Sequence, residues 1–221
     1  MIDAARADVE RRARLSLGRS HQAIYGTIAG VLADRAAHGT LADVGCGAGD
    51  LWRIVGRRFS RCIGVDAVRY EGLPGEVDLR IADLDRAPLP IADASVDVVA
   101  AVEVIEHLEN PRAFVRELAR IVTPGGWVVV TTPNQLSALS LLTLVAKGRF
   151  SAFQDTAYPA HRTALLEIDL RRIAGECGLR DEAIVYTQHG RVPLSSWHYP
   201  RPVARLAPRR FSDNLLLIAR R

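Results

Sequence analysis

An α/β fold, with a mostly parallel sheet covered by helices on both faces, is what this sequence predicts. Three observations carry the prediction. Apolar strand-like runs alternate with helical segments from residue 40 to residue 132, the pattern of repeated strand–helix–strand units. A glycine-rich turn, Gly45-Cys46-Gly47-Ala48-Gly49, joins the first of these strands to the helix after it. Acidic residues stand at the ends of successive strands, where open α/β sheets hold their ligands.

Residues 4–17 are charged, with leucines and alanines interspersed, and read as a helix. A second helix runs from about Ser20 to Ala37, with Ile24, Ile28, Val31 and Leu32 at helical spacing. Thr40 to Val44 is the first strand and Leu51 to Val55 a helix. Arg61 to Val65 forms the second strand, ending at Asp66, and Val77 to Ala82 the third, ending at Asp83. Val96 to Val102 is the fourth, followed by a helix over Arg112 to Val122. The turn Pro124-Gly125-Gly126 precedes the fifth strand, Trp127 to Thr132. Beyond Pro133 the pattern changes: 136–147 reads as helix, 148–162 as irregular, 164–177 as helix. Ala183 to Thr187 and Asn214 to Ala219 read as two closing strands, which makes seven. Between them, 189–210 holds four prolines and reads as a surface excursion. The expected organisation is N-terminal helices over 1–38 and one domain over 39–221, with an insert at about 135–162.

Composition narrows the class. The chain has 221 residues, 48% hydrophobic and 24% charged, enough for one full core. No run is long and apolar enough to span a bilayer. The N-terminal residues lack a signal-peptide core. Three widely spaced cysteines, Cys46, Cys62 and Cys177, offer no disulfide or zinc framework and suit a reducing compartment. A cytoplasmic protein is therefore expected. The net charge of +4 is almost all arginine, since Lys147 is the only lysine. Its one concentration is near the C-terminus, at Arg201, Arg205, Arg209 and Arg210.

The glycine turn gives the chemistry. Alternate glycines let the backbone turn without a Cβ clash and let main-chain N–H groups approach a ligand. Asp43 and Asp50 bracket the turn with negative charge, which favours hydroxyl or cationic groups over a pyrophosphate. The G-x-G-x-G spacing also differs from the G-x-G-x-x-G dinucleotide fingerprint. Asp66 follows roughly 20 residues on, where a ribose-diol acceptor is expected. Asp83 and Glu103 end the next two strands. Either Asp66 or Asp83 alone reads as a turn cap; together, at successive strand ends, they read as a binding set.

Asp43–Leu51, Asp66, Asp83, Ser95–Val99 and Thr123–Gly126, in that order, resemble the successive motifs of class I S-adenosylmethionine (SAM) methyltransferases. The resemblance covers about Leu41 to Asn134. It implies a Rossmann-like fold with a seven-stranded, mostly parallel sheet and an antiparallel last strand. It implies SAM as cofactor, with Asp43, Gly45, Cys46, Gly47 and Gly49 against its methionine part. Asp66 would accept the ribose hydroxyls and Ala67 would pack near the adenine. Asp83 would accept from the adenine amino group, Leu84 would offer its N–H to the ring, and Glu103 completes the set. Carboxylates suit a diol and an exocyclic amine.

On the acceptor side, Val102 to Pro111 follows the fourth strand. Glu103 and His107 are four apart and on a helical turn would share a face, with Glu106 beside them. His161 lies later, in the irregular stretch expected to cover the site. Two carboxylates and two imidazoles suit a divalent cation such as manganese, iron or zinc. The E-x-x-E-H run resembles ubiquinone-biosynthesis O-methyltransferases and, with the later histidine, the terminal 2′-O-methyltransferases of small RNAs. In those families it is associated with a divalent cation holding vicinal oxygens of the acceptor. Glu103, Glu106, His107 and His161 are therefore the expected metal ligands. The competing reading is a similar run that lines the SAM pocket without metal, with His107 or His161 as base and Glu106 beside it. His21, His38, His189 and His198 read as ordinary surface or core histidines. Leu136, Leu139, Leu141, Leu142, Leu144, Phe150, Phe153 and Tyr158 read as an apolar lid, or as a helix packed on the sheet.

The expected function is methyl transfer from SAM to a small-molecule acceptor, at oxygen. The alternatives are a metal-dependent RNA 2′-O-methyltransferase and a non-catalytic SAM-binding protein. Without a recognisable RNA-binding module, nucleic acid is not the expected partner.

Overall fold

The computed structural model describes residue 11 and residues 18–86 and 88–221. The expected helix over 4–17 lies, apart from residue 11, outside the described residues. Helix α1 (Gln22–Asp34) precedes the sheet. It is shorter than expected because His21, not Ser20, caps it, accepting from the Ala23 N–H through its ring at 3.1 Å. Ser20 instead donates its own N–H to the Tyr25 hydroxyl.

Strand β1 (Gly39–Val44) leads into the glycine turn and a six-residue helix α2 (Asp50–Val55). Strands β2 (Phe59–Asp66), β3 (Val77–Ile81) and β4 (Val96–Ala101) follow. Helix α3 (Pro111–Ile121) starts where Asn110 accepts from Ala113 N–H and proline occupies the first helical turn, a combination that favours helix starts. Strand β5 spans Val122–Pro133. The Pro124-Gly125-Gly126 turn thus lies inside this strand instead of before it. Val96 pairs with Val122 and Val98 with Trp127, so residues 123–126 loop out as a bulge. Helix α4 (Ala138–Lys147) is capped by Ser137. Helix α5 (Glu167–Glu176) starts late because the Asp169 carboxylate takes the Leu166 N–H. Strand β6 (Arg180–Tyr186), a short helix α6 (Arg201–Leu206) and strand β7 (Asn214–Arg220) complete the chain.

The seven strands lie in the order β3-β2-β1-β4-β5-β7-β6. Neighbours from β3 to β5 are parallel, and β7 is antiparallel to both β5 and β6. The expected sheet, with its antiparallel last strand, is what forms. Alternating strand residues feed two cores. Ala42, Val44, Leu215 and Leu217 pack with Phe114 and Leu118 of α3 and Leu170 and Ile173 of α5. Leu41, Leu216 and Ile218 pack with Ile24, Ile28 and Leu32 of α1. Each buried Val, Leu, Ile or Phe there contributes about 1.5–3 kcal/mol, so helices pack firmly on both faces of the sheet. The carboxyl ends of β1, β2 and β4 then meet at one rim.

Candidate functional site

A cavity of about 520 Å³ opens at that rim. Its size falls in the range of small-ligand sites. The glycine turn forms its floor. Gly45, Gly47 and Gly49 all take left-handed backbone, with φ of 77°, 50° and 79°, and the N–H groups of Gly45 and Cys46 both donate to Val65 O. Gly45 and Cys46 line the cavity, whereas Gly47 and Gly49 do not. A Cβ on Gly47 would lie 2.1 Å from the Gly18 carbonyl oxygen, and one on Gly49 2.6 Å from Pro74 Cδ. These two glycines admit close packing from behind. The segment at Gly18 covers the turn, and Ala48 N–H donates to Gly18 O.

Asp43, Asp66, Ala67, Asp83, Leu84 and Glu103 also line the cavity. Asp66 Oδ2 accepts from Gly47 N–H at 2.9 Å and its Oδ1 from Ala67 N–H at 2.7 Å. Oδ1 also accepts from Val68 N–H at 3.5 Å, so the free acceptor capacity lies mainly on Oδ2. Burial raises the Asp66 pKa, and those N–H groups oppose the rise. Asp43 is buried without such donors; burial first, then the charges of Asp66 and Asp50, push it up to about 7. Asp83 caps its own turn through Asp85 N–H.

The acceptor side departs from expectation in one respect. Glu103 has a left-handed backbone, φ 55°, and the turn after it is a 3₁₀ helix over Ile105–His107 only. Glu103 and His107 therefore share no helical face. Glu103 is held by the Thr131 hydroxyl on Oε1 at 2.9 Å and by Asn214 Nδ2 on Oε2 at 2.7 Å. Burial raises it to about 7 against those two bonds. Glu106, His107 and His161 do converge: one ligand atom from each lies within 4.8 Å of the others. Glu103 is absent from that group, because its oxygens are drawn to Thr131 and Asn214.

Glu106 is fully buried, and neither carboxylate oxygen has a hydrogen-bond partner among the described residues. Burial, then the charge on Glu103, hold its pKa well above the usual carboxylate range. The Glu106 backbone N–H and the Thr132 hydroxyl beside the carboxylate oppose that rise. The two imidazoles meet edge to face, 4.8 Å between centroids. His107 Nδ1 lies 2.9 Å from Ala160 O and His161 Nδ1 2.7 Å from Ala152 O. A carbonyl only accepts, so each Nδ1 carries hydrogen and each Nε2 is the acceptor nitrogen of the neutral ring. Burial lowers the His161 pKa, which keeps that ring neutral. Long-range tethers place His161: Arg162 and Thr163 N–H groups both donate to Glu106 O, at 2.8 and 3.0 Å. The Thr163 hydroxyl donates to Leu108 O, and Arg162 pairs with Glu109.

Several lining residues carry no signal in the sequence: Gly18 to His21 and Tyr25 from the N-terminal side, Tyr70, Thr156 and Asn214. They arrive from segments that local spacing cannot relate to the rim. The leucines of the insert join neither core cluster. What the insert brings to the cavity is Thr156 to Tyr158, Ala160 and His161, with Phe153 packed on the His161 ring.

Comparison with known proteins adds the lineage. Residues 42–130 match the family model described as a methyltransferase domain. A probable SAM-dependent methyltransferase of Mycolicibacterium smegmatis is 32% identical over 178 residues, 78% of this chain and 62% of the relative. A ubiquinone biosynthesis O-methyltransferase of Paracidovorax citrulli is 32% identical over 112 residues, 47% of each chain. The chain thus spans less than two thirds of the length of these relatives. A SAM-dependent methyltransferase structure from Archaeoglobus fulgidus superposes with a TM-score of 0.62 at 18% identity, covering 89% of this chain and 94% of that one. At that identity the likeness speaks for the fold. Together with the order of the motifs along β1 to β5, these matches support the class I SAM-dependent methyltransferase family.

Proposed function

We propose that this protein transfers the methyl group of SAM to an oxygen of a small-molecule acceptor. The observation that carries the reading is the continuity of one cavity from the acids of the glycine-turn end to the Glu106–His107–His161 cluster. Asp66 and Asp83 supply acceptors for a ribose diol and an adenine amino group. Asp43 and Glu103, both pushed up to about 7 by burial, would ionise beside a cationic donor. SAM, when bound, brings an activated methyl on a sulfonium leaving group.

The chain's own work is to align the acceptor, exclude water and take the proton. His107 is the proposed base: Ala160 O fixes its tautomer and leaves Nε2 as the nitrogen that can accept a proton. His161 is the alternative base, held in the same way by Ala152 O. An acceptor hydroxyl would give its proton to the imidazole Nε2, while bound SAM would supply the methyl group and keep the electron pair of the broken C–S bond on its sulfur.

A second reading is favoured by the orphaned Glu106 carboxylate beside two oriented imidazoles. Glu106, His107 and His161 fit a divalent cation, and each histidine donates its other N–H to a carbonyl, the usual outer-shell support of such ligands. A cation there would lower the pKa of an acceptor hydroxyl.

Isothermal titration with SAM, followed by a labelled-methyl screen over phenolic, sugar and amine acceptors, tests the proposal. Absence of SAM binding at millimolar ligand sinks it, and label on amines alone overturns the oxygen assignment. Chelator treatment decides the second reading: unchanged turnover rejects the cation.

A further inference from the structure

We propose that the excursion over residues 189–210 is a docking surface for the anionic face of a lipid bilayer. The inference does not rest on the methyl-transfer reading. The stretch contains Arg191, Arg201, Arg205, Arg209 and Arg210 and not one Asp or Glu. It also exposes large apolar side chains: Leu194 is 99% accessible, Trp197 78% and Leu206 86%. Single exposed apolar residues are ordinary. Three of them inside residues 194–206, among arginines and without an acid, are not.

The local structure presents these groups on a firm base. Arg191 and His198 form an isolated bridge, and Val192 N–H donates to Trp197 O, closing a tight loop with Leu194 and Trp197 on it. Two residues later α6 begins. Val203 and Leu206, three apart, share one helix face, flanked by Arg201 and Arg205, four apart. Ala204 is fully buried and pins the helix. Behind the loop, Tyr199 packs on Phe211 at 4.4 Å between centroids, and Arg191 N–H donates to Asp213. His189 lies between the rings of His21 and His198, at 4.3 and 4.0 Å. The apolar side chains therefore point outward from an anchored scaffold.

The charge balance selects the partner. Arg209 pairs with Glu167 and Arg191 faces Asp213, so the charge offered outward is that of Arg201, Arg205 and Arg210, which complements an anionic surface at about fivefold in partition per arginine. Exposed leucines gain nothing from a phosphate backbone, whereas an indole at the headgroup level and aliphatic side chains just below it are what an interfacial site needs. RNA would call for a row of stacking aromatics, and Trp197 is the only aromatic exposed in the stretch besides the His198 ring. The surface connects to the cavity rim through His21, so docking would hold the mouth of the cavity near the lipid.

The test is co-sedimentation of the full chain with vesicles of phosphatidylglycerol and phosphatidylcholine, against vesicles of phosphatidylcholine alone. Binding to the anionic vesicles only, weakened by salt, with a blue shift of Trp197 emission, is the expected result. Leu194→Ser with Trp197→Ser should lower partition by roughly tenfold or more. Arg201→Ser with Arg205→Ser should lower it roughly twentyfold to thirtyfold. Both variants should keep wild-type SAM affinity and thermal stability, which shows that the fold is intact. Failure to sediment at low salt, or variants that sediment like wild type, overturns the proposal. So does size-exclusion chromatography in which the Leu194/Trp197 variant merely dissociates a dimer, or retention of RNA that the arginine variant alone abolishes.

Discussion

Gly45, Cys46, Asp66 and Ala67 reach the cavity from two strand ends that are hydrogen-bonded neighbours, with Val44 paired to Val65. His107 and the segment of His161 reach it from positions 53 residues apart, as the bond to Ala160 O shows. At the cofactor end the chain places its groups by sheet register, so each acid is fixed as soon as the sheet forms. At the acceptor end it places them by individual tethers between a 3₁₀ turn and the insert. A ligand-binding end built on register tolerates little change at its turn. A rim built on tethers can be varied one contact at a time, which suits the end that must select an acceptor.

If that division is right, damage at the two ends should separate binding from turnover. The largest effect is expected from His107→Gln. On the proposed mechanism it lowers kcat by roughly 100- to 10,000-fold, the usual worth of a positioned base. SAM affinity measured by titration should stay within a factor of two or three. Equal losses in both quantities would mean that the two ends are not separable.

The buried acid of the cofactor end has a different signature. Asp43 titrates near 7 in the folded chain against 3.8 in the unfolded one. Below about pH 4 both states are protonated and the burial carries no penalty. As pH rises from about 4 to about 7 the unfolded chain loses its proton first, so stability falls; above 7 the penalty stays constant. Its ceiling is about 4 kcal/mol, at 1.36 kcal/mol per unit. Asp43→Asn should therefore be more stable than wild type at pH 8 without ligand, with the difference vanishing near pH 4, and should bind SAM more weakly. Melting curves across that range decide it; a parallel shift at every pH contradicts the assignment.

Gly47→Ala sharpens the point about register. Its Cβ would lie 2.1 Å from a backbone oxygen, at a left-handed φ of 50°. Gly148 shares the strain, with φ 69°, but has no atom within 4 Å of the same position. Gly148→Ala should cost about 1 kcal/mol, the backbone term alone. Gly47→Ala should cost at least about twice that and impair SAM binding, since Gly18 and the turn must part. Similar losses in chemical denaturation would show that the N-terminal segment does not press on the turn. Next in size is Asp66→Ala, which should weaken SAM by about 1–3 kcal/mol and leave kcat at saturating SAM nearly unchanged.

The same division governs what the sequence reveals. The strands and the glycine turn follow from local patterns, and Asp66 and Asp83 from their places at the ends of successive strands, so these are legible. The bulge in β5 is not legible, because Pro124-Gly125-Gly126 signals a turn equally well inside a strand as before one. The left-handed backbone of Glu103 breaks the helical spacing that would align it with His107. Its partners, Thr131 and Asn214, come from β5 and β7, and no local spacing announces them. His161 is a candidate on chemistry, as a histidine in an irregular stretch, and the bonds that hold it beside Glu106 and His107 are set by tertiary structure alone.

The smallest expected effect tests those bonds. The Thr163 hydroxyl donates to Leu108 O at 2.7 Å, while the Thr163 N–H holds Glu106 O. Thr163→Val keeps the shape and the backbone bond and removes only the hydroxyl, a loss of about 1 kcal/mol in stability. Because Leu108 directly follows the 3₁₀ turn that carries His107, loosening that carbonyl should shift His107 against His161. On the proposed mechanism kcat falls a few-fold, since small misplacements of a base are felt in turnover. SAM affinity, set by register at the far end of the cavity, should not change. Thr163→Ser restores the hydroxyl and should restore turnover. A Ser variant as slow as Val would place the defect in packing of the threonine methyl, and the tether would then carry no weight in positioning the rim.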